Sequence, residues 1–63
     1  MRVFEIIHQI CEERKIPISE LEKRAGIANG IVYKWGKGAS PNMKSLMAIA
    51  AALEVDINTL LAE

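Results

Sequence analysis

No stretch of this chain approaches the roughly 20 consecutive apolar residues needed to cross a bilayer, although 51% of its 63 residues are hydrophobic. Cysteine is nearly absent. The single Cys11 cannot form an internal disulfide, so no cross-link supports the core, and a reducing compartment fits best. Phe, Tyr and Trp occur once each, and His once. The apolar start is broken by Glu5 and His8, unlike the h-region of a secretory signal. The expectation is a cytoplasmic chain with no membrane segment.

The length excludes a two-domain enzyme or a receptor and leaves one small domain, residues 1–63. Such a chain hides only about 60% of its unfolded surface, which leaves little room for a deep catalytic cleft. Net charge is zero, eight basic residues against eight acidic, and taken alone that argues against a polyanion-binding protein. The distribution says otherwise. Residues 23–53 carry Lys23, Arg24, Lys34, Lys37 and Lys44 and no acid, while all eight acids lie outside against Arg2, Arg14 and Lys15. The middle is +5 and the ends together −5, and only that segregation speaks about a partner.

Apolar spacing predicts five short helices and no strands. Val3, Ile6, Ile7, Ile10 and Cys11 recur at three- and four-residue steps, and Pro17 stops that helix near Lys15. The second helix covers about residues 18–25, with Leu21 and Ala25 inward. It is capped either by a Ser19–Glu22 box or by Pro17 at the cap or first position, and Gly26 ends it. Residues 28–37 follow almost at once, with Val32 and Trp35 on one face and Ile27 as a possible staple. Gly30 and Gly36 each cost about 1 kcal/mol there, so something beyond local preference must hold this segment. After a loop through Gly36, Gly38, Ser40 and Pro41, Asn42 caps a fourth helix whose stripe is Met43, Leu46, Met47, Ala50 and Leu53. Asp56 caps a last helix carrying Ile57, Leu60 and Leu61.

Leu21, Ala25, Gly26, Ile27, Val32 and Trp35 define a compact corner between two short helices and turn one face of the second outward, a helix-turn-helix over about residues 18–37. Over residues 7–61 the chain resembles the Cro and lambda-repressor-like helix-turn-helix family, also called the Xre family. The likeness is carried by LEKRAGIANGIVYKW, then SPNMKSLMAIAAALEVDINTLL, and is nearest to phage and Gram-positive bacterial regulators. It implies an all-α, compact five-helix lambda-repressor-like domain that binds double-stranded DNA with its second corner helix in the major groove. It places Ile27, Val32, Trp35, Leu46, Ala50 and Leu53 in the core. Groove-facing positions fall on Asn29, Gly30, Tyr33 and Lys34, and a phosphate-anchoring stretch on Lys37, Ser40, Asn42 and Lys44.

Chemistry supports some of these roles. The Asn29 amide can pair with adenine N6 and N7, and Lys34 can reach guanine O6 or N7, or a phosphate. The bland alternatives are a first-turn or capping role for Asn29 and a solvated face for Lys34 and Lys37. Tyr33 either packs on a sugar or thymine methyl, or covers the helix–loop junction. The chain departs from the family pattern at Ile18 for a phosphate-gripping Gln, Ala28 for a Ser or Thr cap, Gly36 for Glu, and Glu54 for a helix-ending Gly. With few hydrogen-bonding groups at Gly30 and Ile31, affinity should lean on shape and phosphate contacts.

His8 and Cys11, at i and i+3, are too few to hold a metal, and nothing orients them for nucleophilic catalysis. No cofactor site and no enzyme is expected. The expected function is operator binding by a small transcriptional regulator, a phage or prophage repressor or Cro-like protein. It would act as a weak homodimer through Leu60 and Leu61, or as a dimer formed only on DNA. The alternative is a protein-interaction module, an antitoxin, antirepressor or co-regulator, for which exposed and contiguous Ile18 and Ile31 would supply the surface.

Overall fold

A computed structural model of the chain describes residues 2–62. It contains α1 (Val3–Arg14), α2 (Ile18–Ala25), α3 (Ile31–Gly36), α4 (Met43–Leu53) and α5 (Ile57–Leu61), with no strand among the described residues. The helices wrap one core: α2 packs on α4, α1 on α3, and α5 closes against α1 and α4.

In α1 the four-residue steps of Val3, Ile7 and Cys11 are buried, and Phe4, Ile6 and Ile10 flank them half-buried. The helix stops where Lys15 turns left-handed (φ 57°) and the Ile16 amide donates to the Cys11 carbonyl at 2.9 Å, just ahead of Pro17. Pro17 takes the cap position of α2 with extended backbone, and the Ser19–Glu22 box does not form. The reason is that Glu22 lies on the inward stripe with Ile18 and Leu21, all three buried. Burial of Ile18 removes one of the two residues expected to form an exposed partner surface, and Ile31 is half-buried against the core. Gly26 ends α2 in the left-handed region (φ 73°), with the Ile27 amide donating to the Glu22 carbonyl.

The fourth helix begins as expected, the Asn42 side chain accepting from the Ser45 amide at 2.7 Å, but it turns a different stripe inward. Leu46, Ile49, Ala50 and Leu53 are buried, while Met43 and Met47 are 54% and 59% exposed. A helix of Met, Ala, Ile and Leu is apolar nearly all round, so spacing alone did not decide which face meets α2. The Arg14 guanidinium donates to the Leu53 carbonyl and satisfies an acceptor that the end of α4 leaves open. Asp56 caps α5 by accepting from the Asn58 amide at 2.8 Å. Leu60 is fully buried, so of the pair expected to carry self-association only half-buried Leu61 reaches the surface.

Glu54 keeps the family's turn without its glycine. It ends α4 at φ 57°, with the Val55 amide donating to the Ala50 carbonyl. A side chain in the left-handed region costs about 1–2 kcal/mol. Glu54→Gly should therefore raise stability by about 0.5–1 kcal/mol after the entropy of an added glycine, seen as a rise of several degrees in Tm. An unchanged or lower Tm contradicts strain at this residue.

Candidate nucleic-acid interface

The third helix is the least self-sufficient element of the fold. It has six residues, ends in a glycine, and its cap residue Gly30 (φ 90°) has no side chain to bind the first amides. Ala28, two residues earlier, has none to offer either. An isolated helix shorter than about 12 residues is marginal in water, so its start must be held from elsewhere.

The holding group is Glu22. Its side chain is 1% exposed, and its carboxylate reaches across the corner from α2. One oxygen, Oε1, accepts from the Gly30 amide and the other, Oε2, from the Val32 amide, each at 2.9 Å. Those amides stand at the entry to α3, where a helix has no carbonyl of its own to offer. Charge-assisted bonds of this kind are roughly twice as strong as neutral ones, and the negative group also complements the partial positive charge of the helix start. Val32 and Trp35 are then buried behind it. The cap forfeited at Ala28 is thus replaced from the preceding helix.

The far end of α3 is fixed by close approach. A Cβ built on Gly36 would lie 2.9 Å from the Phe4 ring, so the residue that departs from the family's Glu is the one that lets α1 and α3 pack. The Phe4 ring also meets Tyr33, centroids 5.8 Å apart and tilted 50°, and stacks on His8 at 5.8 Å.

With both ends fixed, α3 presents Tyr33 (50% exposed), Lys34 and Lys37 outward. Residues 28–37 are helical only over Ile31–Gly36. Asn29 therefore projects from the turn before the helix instead of from its first turn, and Gly30 is its half-buried cap, because left-handed backbone at Gly30 cannot continue a helix backwards. Ser40 is exposed in the loop that follows, Asn42 is occupied as the cap of α4 through its Oδ1, and Lys44 is exposed on α4. Among the described residues Arg24 pairs with Glu20 at 3.1 Å, while no acid pairs with Lys23, Lys34, Lys37 or Lys44. The α3 side is thus a compact corner with unneutralised lysines, and a cleft of about 430 Å³ opens beside Asn29 between Ser19, Glu20, Glu22, Lys23 and Ile27.

A family model described as the Cro/C1-type HTH DNA-binding domain matches residues 7–62. The chain belongs to that family. No curated protein and no solved structure gives a significant match. As a Cro/C1-type domain it has the all-helical, compact fold expected of it.

Two residues of this Cro/C1-type corner were missed by sequence reasoning, Glu22 and Phe4. For Glu22 a signal was present: Ile18, Leu21, Glu22 and Ala25 form one i, i+3, i+4, i+7 stripe, which places a carboxylate on a face otherwise bound for the core. For Phe4 no local signal exists, since its partners on α3, Tyr33 and Gly36, lie 29 and more residues away. His8, stacked on Phe4, also pairs with Glu12 at 2.9 Å. Burial pushes the Cys11 thiol up, partly offset by Arg14, which disfavours the thiolate a nucleophile or metal ligand requires. No group of three His, Cys, Asp or Glu side chains is placed to hold a metal among the described residues.

Removing the Glu22 carboxylate leaves the Val32 amide buried without a partner. Glu22→Ala should cost about 2–4 kcal/mol in urea unfolding, and Glu22→Gln, which keeps one acceptor, roughly half of that. A Glu22→Ala protein within about 0.5 kcal/mol of the parent, the scale of ordinary surface changes, would show that the corner holds without this group.

Proposed function

We propose that this chain is the sequence-specific double-stranded DNA-binding domain of a small transcriptional regulator, of the phage or prophage repressor or Cro kind, that acts by occupying an operator. In this reading α3 enters the major groove, where a helix fits by width. The observation that carries it is the clamped corner: a short helix held at both ends turns Tyr33, Lys34 and Lys37 outward with no acid paired to the lysines. Asn29, ahead of the helix start, is placed to read an adenine edge or bind the backbone. Gly30 lets the turn come close to the DNA, and Tyr33, its ring held by Phe4, packs on a sugar or thymine methyl. Lys37, Ser40, Asn42 and Lys44 follow α3 as the phosphate-anchoring stretch.

One helix reads only a few base pairs, so two copies on half-sites about one helical turn apart supply the specificity of an operator. The competing reading, a protein-interaction module, loses its main support with Ile18 buried.

Selection of bound duplexes from a random pool at moderate salt tests the proposal. Enrichment of a palindrome is expected, with log K falling by about 0.9 per phosphate contact as log salt rises. Lys34→Ala should reduce that slope by about 1 if the lysine meets a phosphate. Asn29→Ala should lose about 1–3 kcal/mol of discrimination at one A·T position. No enriched sequence, or affinity indifferent to salt, would sink the reading.

A further inference from the structure

Tyr33 is half exposed on α3, and a side chain in that setting has a choice of staggered rotamers. There is space for the ring to take another one. A cleft of about 310 Å³ runs between α1 and the start of α2, lined by Tyr33 itself with His8, Cys11, Glu12, Lys15 and Ile18. Among the described residues no side-chain hydrogen bond ties Tyr33 to one place. Its aromatic neighbour is Phe4, the ring centroids 5.8 Å apart and the planes tilted by 50°, within the range of a favourable aromatic pair.

Phe4 is the better anchored of the two rings. It is half-buried on α1, one helical turn before His8, whose imidazole stacks on it at 5.8 Å and 30°. Gly36 meets its face. A Cβ built there would lie 2.9 Å from Cγ and Cδ2 and 3.2 Å from Cδ1, nearly one distance to three adjoining atoms, which places it above the ring and not at its edge. The Phe4 ring is thus set by the backbone of α3 at one residue and set against a side chain of α3 at another, three positions earlier.

We propose that Phe4 is a positioning residue for DNA recognition: touching no DNA itself, its ring selects the Tyr33 rotamer that stands out from α3 and keeps the phenol from folding into the cleft. The inference rests on the reading that α3 enters the major groove. Ordering a free, rotamer-rich side chain on binding weakens affinity by about three- to tenfold. With Phe4 in place that ordering is completed on folding, so Tyr33 meets the duplex already preorganised.

Nuclear magnetic resonance of the chain without DNA and a double-mutant cycle on the selected duplex test the two halves separately. In the parent, side-chain couplings should report one dominant Tyr33 rotamer, with Overhauser contacts between the Phe4 and Tyr33 rings. In Phe4→Leu the couplings should average over rotamers while circular dichroism shows the helices intact. On the duplex, Phe4→Leu should weaken binding about three- to tenfold in the parent background and less than about twofold in a Tyr33→Ala background. Phe4→Tyr, which keeps the ring, should bind within about twofold of the parent. A Phe4 that only supports the fold would cost the same in both backgrounds, and that outcome overturns the proposal. So does a parent whose Tyr33 already averages over rotamers, a result that needs no variant to fold. A parent that selects no duplex removes the DNA reading and this role together, whereas equal losses on a duplex that the parent binds remove the positioning role alone.

Discussion

A carboxylate on one helix accepts the first amides of the next. Glu22 lies within α2, yet its two oxygens are spent on Gly30 and Val32, at the entry to α3. That arrangement fixes the angle and the register of the corner at once. Rotating α3 by even part of a turn would withdraw Val32 from its acceptor and lift Val32 and Trp35 from the core. A six-residue helix with a glycine at its cap and another at its end has little cohesion of its own, so its shape is borrowed from α2 on one side and, through Phe4 on Gly36, from α1 on the other.

The same contact organises the electrostatics. Glu22 immediately precedes the acid-free segment 23–53, and its charge is turned inward onto backbone amides instead of outward toward the lysines. Lys34 and Lys37 thus project from a helix whose anchoring acid is hidden behind it. A zero net charge and an unneutralised basic face coexist because the acids lie at the two ends of the chain or, in this one case, inside it.

Much of the fold was legible in the sequence. Three- and four-residue spacing with Pro17, Gly26, Asn42 and Asp56 as punctuation marks α1, α2, α4 and α5 within a residue or two, because each of those ends is decided locally, whereas α3 begins three residues after its expected start. The losses came where an outcome depends on a partner helix. In α4, Met43 and Met47 fit the same periodicity as Ile49, and only the seating of α2 and α5 chooses between them. Ile18 follows from its stripe-mates on α2, whereas family position suggested exposure. Of the proposed interface, the outward lysines were legible from Val32 and Trp35 by subtraction. The displacement of Asn29 and Gly30 out of the helix was not, since it follows from the left-handed backbone at Gly30 and the reach of Glu22 across the corner.

Hydrogen exchange at the Val32 amide tests the central claim most directly. A first-turn amide has no helical acceptor, so the hydrogen bond that holds it closed to exchange is the one to the Glu22 carboxylate, and the Glu22 variants separate that bond from burial alone. Slow exchange is expected in the parent, comparable with the interior of α4, and fast exchange at that amide in Glu22→Ala while α1 and α4 stay protected. Rapid exchange at Val32 in the parent protein would contradict it.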